Sequence, residues 1–123
     1  MGEKQLFAIR GAVQCENTGE DIQRQTTAMY DEILEKNRLG EEALVSIIFS
    51  VTGDLDALNP ASALRREGRA GEAALFVTQE AFFPNSLPRV IRVLIHYRAD
   101  ESSVPVHVYR NGAEVLRPDR KSV

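Results

Sequence analysis

Five short apolar runs along the chain are typical of β-strands, because they are rich in β-branched and aromatic residues and end at glycine, proline or polar residues. We predict strands over residues 6–10, 44–52, 73–79, 90–97 and 106–109. The first run stops at Gly11, a residue that lets another group approach the backbone closely. Asn111-Gly112 follows the last run and is a strong turn signal.

Between the first two strands the apolar residues keep a helical spacing. Asn17 and Thr18 offer an N-cap, and acidic residues in the first turn suit a helix N-terminus. The spacing of Ile22 and later apolar residues predicts a helix to about Lys36, with Gly40 ending the segment.

A second helix is predicted after the 44–52 strand. Asn59 is a good N-cap, and Pro60 suits the first helical position. The helix should run to about Glu67, and Gly68 suits the left-handed position that follows a helix. The resulting order, β-α-β-α-β-β-β, predicts an α+β fold in which helices pack on a mixed β-sheet.

Composition and charge exclude several classes of function but do not identify one. The chain has 123 residues, a formal charge of −3 and 43% apolar residues, which predicts one globular domain over residues 1–123 and argues against a nucleic-acid partner. Cys15 stands alone, and with only His96 and His107 beside it a structural zinc site is not expected. No apolar run is long enough for a signal peptide or a membrane span, so we expect a soluble, cytoplasmic protein.

Arginines inside or beside apolar strands are the unusual chemical feature. Arg92 lies within the 90–97 strand, and Arg10 ends the first strand. A charge drawn into an apolar region needs a partner, because an unpaired buried charge is costly. Either Arg92 pairs with an internal carboxylate such as Glu80 and is structural, or several guanidinium groups line a pocket for a small anion, which their planar fork suits.

Other polar residues are weaker candidates when each is taken alone. Glu80 follows an apolar strand and could face a cleft or solvent, and Tyr109 is most simply structural. Arg65 is most simply a solvated residue on a helix surface, and Arg117 is most simply a charged residue of the C-terminal tail. Cys15 has no neighbouring histidine, so a nucleophilic role is not expected. The chain has no P-loop, GxGxxG, GxSxG or HExxH motif.

Several short sequence blocks, considered together with their order and their spacing along the chain, resemble the AroH-type chorismate mutase family over residues 6–119. The matching blocks are Ile9-Arg10-Gly11-Ala12, Ser50-Val51-Thr52-Gly53-Asp54-Leu55, Asn59-Pro60-Ala61 with Arg65, Gln79-Glu80, Val90-Ile91-Arg92-Val93, His107-Val108-Tyr109 and Leu116-Arg117-Pro118-Asp119. The resemblance implies a pseudo-α/β-barrel homotrimer with active sites at the subunit interfaces. It also implies the rearrangement of chorismate to prephenate, the committed step toward phenylalanine and tyrosine, without a metal or organic cofactor.

The resemblance assigns roles to individual residues. Arg10 and Tyr109 would hold a substrate carboxylate, and Arg92 would donate to the ether oxygen and a carboxylate. Glu80 would accept from the substrate hydroxyl and orient Arg92. The remaining substrate-binding positions implied by the resemblance are Arg65 and Arg117 at the mouth, with Leu116, Asn59 and Val77.

Three positions depart from the family pattern. Asn59 stands where the family usually has an aromatic wall from the neighbouring subunit, Ser62 where some members have lysine, and Val77 where some have cysteine. These changes could weaken binding or signal a related substrate. Two alternatives therefore stay open: a RidA-like trimeric deaminase, and a non-catalytic binder of a small anionic metabolite.

Overall fold

A five-stranded mixed sheet forms the centre of the computed structural model, which describes residues 3–117. The strands are β1 (Lys4–Gln14), β2 (Leu44–Val51), β3 (Ala74–Gln79), β4 (Val90–Asp100) and β5 (Val108–Arg110). Their order across the sheet is β3-β2-β4-β1-β5. β4 pairs antiparallel with β1 and β2, whereas β5 runs parallel to β1 and β3 parallel to β2. The predicted α+β order and mixed sheet are confirmed.

Both helices begin where the sequence predicts. α1 (Gly19–Asn37) is capped by Thr18, whose hydroxyl accepts a hydrogen bond from the Asp21 N–H. α1 does not need Gly40 to end it, because Arg38 itself adopts the left-handed conformation (φ 54°). α2 (Pro60–Arg66) starts at the Asn59 cap, and Gly68 is left-handed (φ 71°) as expected.

The helices cover one face of the sheet. The alternation of buried and partly exposed side chains along β4 shows which residues lie on each face. Ile91, Val93, Ile95 and Tyr97 are almost fully buried against the helix side. The apolar side of α1 supplies Ile22, Met29 and Ile33 to the same core. Arg92 and Leu94 alternate with the buried set and therefore lie on the other face, which we call the open face.

Gly11 does not end β1, so the prediction of a strand stopping there is wrong. The strand continues to Gln14, and Gly11 pairs with Val93 of β4. A Cβ at Gly11 would lie 2.9 Å from Ile33 Cδ1 and 3.0 Å from Val93 Cγ1. The expected close approach is therefore real, but the approaching group is the side chain of α1, and the missing Cβ leaves room for it.

The fifth strand begins two residues later than predicted. Val106 does not pair with a strand, because the Asn37 side chain takes both of its backbone groups. The Asn37 amide donates to the Val106 carbonyl at 2.9 Å and its oxygen accepts from the Val106 N–H at 2.8 Å. A side chain at the end of α1 thus fixes the segment that leads into β5.

The turn after β5 leads into a short 3-10 helix. Asn111 (φ 53°) and Gly112 (φ 101°) both have positive φ, the backbone that an Asn-Gly turn favours. The 3-10 helix spans Ala113–Leu116. Ala113 is buried against Ala12 and Val90, so this short helix covers one corner of the open face.

An ion pair joins β5 to α1 and gives the fold a testable dependence on pH. Glu32 accepts from Lys36 at 2.9 Å and from Arg110 of β5. Burial alone would raise the pKa of Glu32, but the hydrogen bonds from Lys36 and Arg110 outweigh it and hold that pKa below the ordinary value of 4.5.

We expect Glu32→Gln to lower the free energy of unfolding at pH 7 by about 1 kcal/mol. Since folding lowers the pKa of this carboxyl, its stabilisation is present above pH 4.5 and is lost as the pH falls through the lowered value. Denaturant unfolding of both proteins between pH 7 and pH 3 should show the difference shrinking in acid. A difference that grows in acid would contradict this assignment.

Among residues 3–117, no helix is long and apolar enough to cross a membrane. Pro118 and Asp119, which belong to the last block of the family resemblance, lie outside the described residues.

Candidate active site

Four of the predicted site residues meet in one cavity on the open face. The cavity encloses about 300 Å³ and is lined by Arg10, Arg92, Tyr109 and Leu116, with apolar contributions from Ile48 and Leu94. The sheet register produces this arrangement, because Arg10 lies opposite Leu94, and Tyr109 lies beside Ala12, the partner of Arg92. Residues far apart in sequence thereby present cationic and phenolic groups to the same cavity, which is otherwise largely apolar.

Glu80 and Ser50 fix the guanidinium of Arg92. The Arg92 Nε–H donates to Glu80 Oε2 at 2.9 Å, and the Ser50 hydroxyl donates to Glu80 Oε1 at 2.9 Å. Glu80 is held in turn by its own backbone, whose N–H donates to the Val51 carbonyl at 2.8 Å. Arg92 therefore has the internal carboxylate partner that the first alternative requires, and it also lines a cavity together with Arg10, as the second alternative requires.

This pairing leaves Arg92 available to a ligand. Only Nε is engaged by Glu80, and the Arg92 side chain is 39% exposed, whereas the Glu80 side chain is 21% exposed. The carboxylate fixes one edge of the guanidinium, and a fixed donor costs little reorganisation when a ligand arrives. The cluster thus presents a preset positive charge at the cavity.

Asn59 and Val77 line a different cavity. It encloses about 320 Å³ between the loop after β2, the start of α2 and the end of β3. Val77 packs against the helix-side core, so it lies on the opposite side of the sheet from Arg92. Asn59 uses its side-chain oxygen to accept from Ala61 N–H at 2.8 Å, which makes it a helix cap as well as a wall. Within one chain these two residues do not meet the Arg92 cavity.

Arg65 and Arg117 lie outside the Arg92 cavity. Arg65 donates to the Gly71 carbonyl at 2.7 Å and the Ala73 carbonyl at 3.3 Å, and it remains exposed on α2. Arg117 lines a neighbouring cavity of about 510 Å³, which is also lined by His107 and Tyr109. Tyr109 therefore lines both this cavity and the Arg92 cavity.

Two contributors were not predicted as site residues. Ser50 is a polar residue at an open-face position of β2, a strand whose only other polar residue is Ser46, and that pattern was the signal available to find it. His107 accepts a hydrogen bond at Nδ1 from the Arg10 backbone N–H at 2.9 Å. Nothing local in the sequence indicates this bond, because its partners are 97 residues apart.

The arrangement is suited to binding and polarising an anion rather than to covalent chemistry. Burial, and then the Asp21 and Glu16 carboxylates, raise the pKa of the Cys15 thiol to about 11, so it is protonated at neutral pH and a poor nucleophile. No three His, Cys, Asp or Glu side chains within residues 3–117 converge as metal ligands. The groups that face the Arg92 cavity are guanidinium, phenol, hydroxyl and aliphatic side chains.

Known proteins are similar in sequence to this chain over nearly its whole length. The family model described as chorismate mutase type I matches residues 6–120. A relative from Thermus thermophilus named chorismate mutase AroH is 41% identical over 117 residues, covering 93% of this chain and 95% of the relative. A second protein of that name, from Bacillus subtilis, is 34% identical over 116 residues, covering 93% and 91%.

The fold has a matching solved structure. A chorismate mutase from Clostridium thermocellum superimposes with a TM-score of 0.84 at 44% identity, covering 89% of this chain and 99% of that one. These matches do not support the alternatives of a RidA-like deaminase or a non-catalytic binder. The chain belongs to the chorismate mutase type I family, whose members are isomerases.

Proposed function

We propose that this protein converts chorismate to prephenate, and thereby serves phenylalanine and tyrosine synthesis, at a site built around Arg92. The observation that carries the proposal is the fixed Arg92–Glu80 pair at a cavity that also receives Arg10 and Tyr109. A dicarboxylate substrate needs cationic partners, and planar guanidinium groups suit carboxylates.

The reaction explains why no nucleophile is required. In this rearrangement the ether C–O bond breaks as a new C–C bond forms within the same molecule, so no group leaves and no proton must move. A protein can hold the flexible substrate in its reactive, chair-like conformation. It can also place positive charge beside the ether oxygen, which gathers negative charge as its bond breaks.

We propose the following roles, of which the lining of the cavity supports those of Arg92, Arg10, Tyr109 and Leu116. Arg92 donates to the ether oxygen and a carboxylate, and Glu80 orients Arg92 and accepts from the substrate hydroxyl. Arg10 and Tyr109 hold a carboxylate, and Leu116 closes the apolar side of the cavity. Arg65 and Arg117 attract the dianion from the mouth.

We further propose that three chains form a ring and that each site is completed by a neighbour. Asn59 and Val77 lie in a cavity separate from that of Arg92, so a site containing both sets draws them from two chains. The open face gives such an interface its apolar area, since Leu6 and Phe76 are 56% and 63% exposed there. A mass of three chains in native mass spectrometry is expected, and a monomer would contradict the proposal.

The decisive assay follows the loss of the chorismate diene absorbance after addition of purified protein. We expect first-order loss with prephenate as the product. The Asn59 departure bears directly on the result, because a polar residue in place of an aromatic wall is the feature that most favours binding without turnover. A thermal shift with chorismate but no loss of absorbance would overturn the proposed activity.

We also propose a cytoplasmic location. Its support is the single cysteine, Cys15, which is a free, buried thiol, in keeping with a reducing compartment.

A further inference from the structure

We propose that His107 is a positioning residue that fixes Arg10 and Tyr109 for the substrate. This inference rests on the proposed function of the Arg92 cavity, of which Arg10 and Tyr109 are walls. His107 does not line that cavity and acts instead through the backbone of β1 and β5.

The first step of the argument is the place of the His107 bond in the sheet. β5 is three residues long, and its ladder with β1 starts at the pair Gly11 and Val108. The Arg10 N–H lies just before that ladder and has no strand residue of β5 opposite it. The imidazole Nδ1 of His107 accepts this N–H at 2.9 Å and so extends the short ladder by one hydrogen bond.

The second step is that the segment carrying His107 is itself fixed. Asn37 takes both backbone groups of the preceding residue, Val106, and also donates to the Ile33 carbonyl at 2.8 Å. The acceptor for Arg10 is therefore tied to the end of α1, a long helix packed on the core. A three-residue edge strand with few ladder bonds would otherwise fray readily.

The third step links this bond to the substrate. The hydrogen bond from His107 holds the backbone of Arg10, and therefore also limits the movement of the Arg10 guanidinium. Tyr109 lies two residues after His107, on β5. Loss of the bond frees both side chains at once. Arg92 is held independently by Glu80 and Ser50, which lie toward β2 and β3 and away from β5, so the charge beside the reacting oxygen stays in place.

Asparagine separates this role from a merely structural one. Its Oδ1 is the same number of bonds from Cα as the imidazole Nδ1, so His107→Asn keeps an acceptor for the Arg10 N–H, whereas His107→Leu removes it. We expect His107→Leu to raise KM for chorismate about ten-fold while kcat changes less than about three-fold, because carboxylate binding is lost and the transition-state donor is not. His107→Asn should stay close to wild type.

The experiment measures steady-state kinetics together with amide hydrogen exchange at Arg10 by NMR, in wild type, His107→Leu and His107→Asn. Exchange protection at Arg10 should be lost in the leucine variant and kept in the asparagine variant. Val104→Ala serves as a matched control, since Val104 is 80% exposed in the same approach to β5. Melting curves check that each variant is folded, which we expect because His107 is exposed.

Three results would overturn the inference. They are wild-type KM and protection in His107→Leu, equal impairment of the leucine and asparagine variants, and a raised KM with the Arg10 amide still protected. Failure of the proposed function is distinguishable, because it appears as absent turnover in the wild type, while the exchange measurement still tests whether His107 holds Arg10.

Discussion

Replacement of Arg92 by alanine should lower kcat by at least a hundred-fold, because one preset donor to a developing oxyanion is worth roughly 3–4 kcal/mol of barrier. Two features of Arg92 support an effect of this size. Its guanidinium lines an apolar cavity, and Glu80 holds one edge of it through a 2.9 Å hydrogen bond. The positive charge is thus in place before the C–O bond breaks.

Arg92→Lys is the informative companion variant. It keeps the positive charge but loses the planar fork, with which arginine contacts Glu80 through Nε and still offers donors to a substrate. We therefore expect Arg92→Lys to recover little of the lost kcat. Single-turnover measurement of chorismate loss, with enzyme in excess of substrate and at a saturating concentration, isolates the chemical step from binding.

A matched control for Arg92 is Arg24→Ala, which removes an arginine that is 60% exposed on α1, is paired with Glu20 and does not line the cavity. This control should keep wild-type kcat. Near-full turnover by Arg92→Ala would show that the role assigned to Arg92 is wrong.

The fold was largely predictable because its signals are local. The helix caps at Thr18 and Asn59 are short-range hydrogen bonds, and the sequence contains both partners within three residues. The errors occurred where a distant group decides the outcome. Gly11 permits a close approach, but the sequence does not say that Ile33 makes it, and Val106 leaves the strand because Asn37, 69 residues away, occupies its backbone.

The same distinction between local and distant signals applies to the residues of the candidate site. Arg92 was identified because a charge among apolar strand residues requires a partner, and that partner proved to be Glu80 as anticipated. His107 was missed because its partner, Arg10, is 97 residues away, and Ser50 was missed although its position in β2 was an available signal. The separation of Asn59 from Arg92 was also invisible locally, since it depends on which side of the sheet each residue occupies.

That separation leads to the second large effect, the recovery of activity when two impaired variants are mixed. Arg92→Ala damages the cavity on the open face. Arg65→Glu places a negative charge on α2, the helix that Asn59 caps, and should repel the dianion from that side. If one site draws on both regions from neighbouring chains, each homotrimer has three damaged sites, so each variant alone should have very low activity.

Co-refolding the two variants in equal amounts should restore about one quarter of wild-type activity, because in a closed ring of three that fraction of interfaces joins an intact cavity to an intact α2 region. Refolding each variant separately and mixing the products afterwards is the control, and it should recover nothing until subunits exchange. Activity in the co-refolded sample no higher than the mean of the two single variants would show that each chain holds a complete site. In that case the separate cavities of Arg92 and Asn59 would have to serve different purposes.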